Sequence, residues 1–78
     1  MNFTPDKTED ASDLACPMPI IKTKQALEGM KVGEILKVIS TDPGSVSDMK
    51  AWTGKTGHVL LGQEQSGDQY IFYIRKTK

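Results

Sequence analysis

The sequence predicts an α/β (α+β) two-layer sandwich, with two helices on one face of a four-stranded mixed sheet. Three observations carry this prediction. Two strand-like segments are each followed by a helix-like segment, with proline or glycine at every junction. The last third lacks a helical pattern and reads as a β-hairpin. The chain has 78 residues, enough for one small domain that buries ~60–65% of its unfolded surface. The order is therefore β-α-β-α-β-β. Two right-handed crossovers make their strands parallel and place both helices on the same face. The final hairpin is antiparallel, and the face away from the helices is left partly open, which invites association.

Residues 1–9 are polar, include Pro5 and read as a flexible tail, leaving 10–78 as the single domain. Asp10 to Ala15 is expected to hold a short first strand, inferred mainly from the helix start behind it. Pro17 to Glu28 reads as a helix, with Ile20, Thr23, Ala26, Leu27 and Met30 along one stripe. Gly29 is placed to stop it in the left-handed conformation. After the turn Lys31-Val32-Gly33, Glu34 to Thr41 reads as an inner strand through Ile35, Leu36, Val38 and Ile39. Asp42-Pro43-Gly44-Ser45 ends that strand. Ser45 is expected to cap the second helix, with Asp48 three residues on as a capping-box variant. This helix is expected to reach about Lys55, closed by Gly54 or Gly57. His58 to Gln65 is the third strand, Ser66-Gly67-Asp68 a three-residue hairpin loop, and Gln69 to Lys76 the fourth strand.

Composition excludes several functions. The chain is 37% hydrophobic and 26% charged, as soluble globular domains are. Ten basic and ten acidic residues cancel, which argues against a dedicated nucleic-acid module. No apolar run approaches the ~20 residues of a membrane span, and the first residues lack the apolar core of a signal peptide. A single cysteine forms no internal disulfide, and a free thiol fits a reducing cytoplasm. One cysteine and one histidine do not make a zinc set, so no metal and no cofactor is expected.

The chemistry points to Leu14-Ala15-Cys16-Pro17-Met18-Pro19. Proline is tolerated in the first helical turn because the N–H it lacks would be unpaired there. Pro17 and Pro19 thus mark a helix start and set Cys16 at or beside its N-cap. Unpaired N–H groups and the positive end of the helix dipole would then lower the thiol pKa. A buried structural cysteine is the bland alternative.

Together these residues resemble the TusA/SirA/YedF family of small bacterial sulfur-carrier proteins. Cys16-Pro17-Met18-Pro19 matches its C-P-x-P motif. Gly33, Asp42-Pro43-Gly44-Ser45, Asp48, Trp52 and Gly57-His58 lie in register with it. The resemblance spans roughly Asp10 to Lys76. It implies a fold like the C-terminal domain of bacterial translation initiation factor three, with strand order 1-2-4-3 and the last strand antiparallel. It further implies that Cys16 accepts sulfane sulfur as a persulfide and passes it on, as a sulfurtransferase without independent turnover. The donor would be a cysteine desulfurase or rhodanese-like protein. The acceptor would be a relay protein for tRNA 2-thiolation, cofactor synthesis or sulfur oxidation. The family commonly reads D-x-R-G-L-x-C-P, whereas Ser12 and Asp13 stand here where Arg and Gly are usual. Asp13 would raise the Cys16 pKa if close.

Other candidates are weighed beside this site. Pro17, Pro19 and Asp13 shape it. Met18 fits a partner contact and plain surface equally. Lys22 and Lys24 suit an acidic partner face or ordinary solvated helix surface. Asp42 and Ser45 sit at the carboxyl end of a parallel strand, where ligand sites gather, and are further candidate partner contacts. His58 falls at the opposite sheet edge, so no Cys–His dyad is expected. Met49, Trp52, Tyr70, Phe72 and Tyr73 read as packing. The alternative function is a non-catalytic interaction or regulatory module using the open sheet face. No membrane and no direct nucleic-acid partner is expected, and the chain is expected to be a monomer or weak dimer.

Overall fold

The computed structural model describes residues 3–78. It contains β1 (Lys7–Ala11), α1 (Met18–Glu28), β2 (Ile35–Ser40), α2 (Ser45–Thr56), β3 (Val59–Ser66) and β4 (Gln69–Arg75). The sheet order is β1-β2-β4-β3. β1 is parallel to β2, and β4 is antiparallel to both β2 and β3. This is the two-layer α+β sandwich the sequence predicts.

The first strand lies earlier than expected. Lys7–Ala11 pairs with Leu36–Ser40, so Lys7, Thr8 and Glu9 belong to the sheet and not to a tail. Asp6 adds to it, donating its N–H to the Ile35 carbonyl at 2.8 Å and accepting the Ile35 N–H at its carboxylate Oδ2 at 2.8 Å. Backbone pairing to a strong neighbour overrides a weak local pattern. Phe3 also packs on Tyr73, with ring centroids 5.4 Å apart. Met1 and Asn2, the rest of the expected tail, lie outside the described residues.

Strand period two explains the core. Leu36 and Val38 of β2 sit opposite Ile74 and Phe72 of β4, and all four are fully buried on the helix side. Ala26 and Leu27 of α1 and Met49 of α2 close over them, with Ile20, Trp52, Leu60 and Tyr70 at the margin. On the far side Ile35, Ile39 and Ile71 are only half-buried. β2 is thus fully covered on one face alone, where its apolar run suggests cover on both.

The helix ends correct three expectations. Gly29 is not left-handed, with φ −90°. The Lys76 ammonium reaches this end, donating to Leu27 O in the last turn of α1 at 2.6 Å and to Met30 O just beyond it at 2.7 Å. Ser45 is the first helical residue, not the cap. Gly44 takes that position, and the Ser45 hydroxyl turns inward to meet Ser40 Oγ at 2.6 Å. Asp48 closes no capping box, because its carboxylate is engaged elsewhere. At the other end Gly57, with φ 89°, supplies the left-handed cap of α2.

The hairpin is tighter than the three-residue loop read from sequence. Ser66 pairs with Gln69, leaving Gly67-Asp68 as a two-residue turn with Gly67 at φ 62°. A glycine first in such a turn matches the twist of the strands it joins. The register shifts between Leu60 and Gly62, which puts Leu60, Gln63 and Gln65 on the helix side.

Candidate functional site around Cys16

Adjacent parallel strands end at the same sheet edge. The loops after β1 and β2 therefore meet, and they build the site from both sides. Ser12 N–H closes onto Asp10 Oδ1 at 2.9 Å, turning the chain out of β1. Asp13 then takes a left-handed conformation, φ 64°, and donates its N–H to Thr41 Oγ1 at 2.8 Å. Such a backbone suits glycine best. Aspartate is among the few other residues that tolerate such a backbone.

Cys16 comes next to the helix, exposed and joined to Pro17 by a cis peptide bond. Pro17 is the N-cap of α1, so Cys16 stands directly beside it, one of the two places the prolines allow. Its N–H donates to Asp42 Oδ2 at 3.0 Å, and its thiol donates to Asp48 Oδ2 at 2.8 Å. Asp42 is itself fixed: its N–H goes to Ser40 Oγ at 3.1 Å, and its Oδ1 accepts the Gly44 N–H at 3.3 Å. Asp48 comes from the first turn of α2.

The electrostatics reverse the expected sign. The Cys16 thiol is pushed above its ordinary range, chiefly because its hydrogen bond to Asp48 stabilises the protonated form. Loss of solvent around the sulfur and the negative charges of Asp48 and Asp42 act the same way. Asp13 is not among the causes.

The sulfur borders a shallow hollow of about 300 Å³ with Pro17, Ile20, Asp48, Ala51, Trp52 and Lys55 around it. A larger hollow, about 450 Å³, lies further along the helices and brings Lys24, Lys55, Lys76 and Lys78 near Trp52 and His58. The thiol borders the smaller one alone. His58 lies at the opposite sheet edge from Cys16, as expected. Its Nδ1 accepts the Thr77 N–H at 3.2 Å, and burial, then Lys78 and Lys76, push its pKa down. Among the described residues no three His, Cys, Asp or Glu side chains group as metal donors.

The structure brings Cys16, Pro17 and Asp42 together and sets the other candidates apart. Pro19 is buried and acts through the packing of α1. Met18 is 37% exposed beside the site. Lys22 is half-buried, and Lys24 faces the larger hollow. Ser45 is 1% exposed and hydrogen-bonded to Ser40, so its side chain is a strut and not a contact surface. Trp52 packs against the core and also walls both hollows. Asp48 is the partner of the thiol that sequence reasoning misses. Its signal is its place one turn into α2, which a capping role explains equally well.

Comparison with known proteins bears on the family and the fold. The family model for sulfurtransferase TusA matches residues 7–76. The sulfur carrier protein TusA of Allochromatium vinosum is 43% identical over 72 residues, covering 92% of this chain and 95% of its own. Bacillus subtilis YrkF is 48% identical over 67 residues, 86% of this chain, yet the match spans only 36% of YrkF. A Halobacterium salinarum relative, 47% identical over 73 residues, covers 92% of this chain and 90% of its own, so such sequences are not confined to bacteria. The crystal structure of a SirA-like protein from Desulfitobacterium hafniense superposes with a TM-score of 0.77 at 23% identity, covering 92% of this chain and 99% of that one. The chain belongs to the TusA sulfurtransferase family.

Proposed function

We propose that this protein is a sulfur carrier that accepts sulfane sulfur as a Cys16 persulfide and hands it to an acceptor protein. The observation that carries the reading is an exposed thiol at the meeting point of two loops, open on one side to a shallow hollow. Such a sulfur is reachable by a loop of another protein, and its backbone is held still by Asp42. Family membership supports the same chemistry. Thiol–persulfide exchange needs no cofactor. Donor and acceptor are proteins: a cysteine desulfurase or rhodanese-like donor, and a relay protein serving tRNA thiolation, cofactor synthesis or sulfur oxidation. A persistent free thiol suits the cytoplasm, and no helix among the described residues is long and apolar enough to cross a membrane.

The test is intact mass after incubation with a persulfide donor. Wild type should gain one sulfur atom, reversibly by reductant, and Cys16→Ser should gain none. A wild type that stays unmodified, or a Cys16→Ser protein that gains as much, removes the reading.

A further inference from the structure

Cys16 meets two carboxylates, and they act differently. Asp42 binds the backbone N–H, an interaction that does not depend on what the sulfur carries. Asp48 binds the thiol itself. The S–H···O bond requires a hydrogen on Sγ, and loading replaces that hydrogen with sulfur. The new terminal sulfur stands about 2 Å beyond Sγ. A persulfide is a stronger acid than its parent thiol, so the loaded group is the more anionic of the two. It would sit against Asp48 with Asp42 close behind. The other charged group in the hollow is Lys55, also from α2, while Ile20 of α1 and its N-cap Pro17 contribute no charge.

We propose that Asp48 sets the sulfur-transfer potential of Cys16, holding the empty thiol through its 2.8 Å hydrogen bond and repelling the loaded persulfide. The inference rests on Cys16 being the carrier sulfur. In the exchange the Cys16 Sγ–S bond forms and the donor's S–S bond breaks. The sulfane sulfur keeps its oxidation level, and the proton lost by the Cys16 thiol ends on the donor sulfur, which leaves as a thiol. One carboxylate thus favours the left side of this balance twice. The empty state is stabilised and the loaded state raised, which makes the carrier a reluctant acceptor and a ready donor.

The experiment equilibrates wild type, Asp48→Asn and Asp48→Glu with fixed ratios of glutathione persulfide to glutathione at neutral pH. Loaded and empty forms are counted by intact mass. Circular dichroism confirms that each variant is folded, and iodoacetamide alkylation is followed against pH on the empty proteins. Asp48→Asn should raise the loaded-to-empty ratio roughly two- to fivefold, the span of exposed charged interactions. It should shift the alkylation profile to lower pH, and Asp48→Glu should lie nearer wild type in both. Equal loading of wild type and Asp48→Asn, or poorer loading of the variant, overturns the proposal. If wild type takes up no sulfur at all, the carrier reading falls and takes this inference with it. A wild type that loads normally, with superimposable alkylation profiles, overturns the role of Asp48 alone.

Discussion

The Asp42 carboxylate takes the backbone N–H of Cys16 at 3.0 Å, tying the loop after β2 to the loop after β1. The same side chain accepts the Gly44 N–H, so one carboxylate braces both loops at the sheet edge. Asp42→Ala should cost about 1 kcal/mol of stability, as the loss of an ordinary hydrogen-bonding group does. It should also speed amide exchange at Cys16. Asp42→Asn keeps an acceptor and should leave that amide largely protected. Unchanged exchange at Cys16 in Asp42→Ala would refute the brace.

The hydroxyls of Ser40 and Ser45 form a second tie, at 2.6 Å, and both residues are buried. Ser40 also accepts the Asp42 N–H, so it holds the turn and the helix start at once. Ser45→Ala should destabilise by about 1–2 kcal/mol, because it strips a buried partner from Ser40. Ser40→Ala should cost more. The double variant should cost less than the two singles added, since each single already breaks the shared bond. Urea unfolding of the four proteins measures this, and strict additivity would show that the hydroxyls are not coupled.

Much of this fold is legible in the sequence, and the misses have physical causes. The apolar residues of α1 repeat at the helix period, so its buried face is readable. β2 carries apolar side chains on both faces and is legible as a strand, but not for which side is covered. β1 carries Lys7, Thr8, Glu9 and Asp10 and is made a strand by pairing with β2, which no local pattern records. Cys16 is legible because proline marks the start of the helix behind it. Asp48 is not, since its contact joins residues 32 apart and depends on how α2 returns over α1. Reading the thiol from its own helix alone gives the wrong sign for its pKa. The Asp48 carboxylate at hydrogen-bond distance holds the thiol proton, and the helix start shows nothing of it.

Gly54 inside α2 and Gly57 at its C-cap should respond in opposite directions to alanine. Gly54 lies within the helix, and a Cβ there would meet nothing within 4 Å. Gly54→Ala should stabilise by about 0.5–1 kcal/mol through helix propensity and a less flexible unfolded chain. Gly57 holds φ 89°, which a side chain resists, so Gly57→Ala should destabilise by about 1 kcal/mol. Thermal unfolding midpoints check both. A fall for Gly54→Ala, or no change for Gly57→Ala, would contradict this account of the helix end.

The pH dependence of stability should show two limbs with separate owners. His58 is pushed down by burial and by Lys78 and Lys76, so the folded state binds its proton less readily than the unfolded state. Its contribution is full above the unfolded histidine pKa of about 6.5 and is lost as pH falls through the lower folded value. Cys16 is pushed up by Asp48, so the folded state keeps the thiol proton longer. That contribution is full below the unfolded thiol pKa of about 8.5 and fades as pH rises through the higher folded value. Both groups are largely solvated, so each limb should be shallow. Urea midpoints measured from pH 5 to 10 should decline gently at either end. His58→Gln should flatten the acid limb and leave the alkaline one, and Cys16→Ser should do the reverse. An acid limb that persists unchanged in His58→Gln would assign it to the carboxylates. The shift at His58 would then have no bearing on folding.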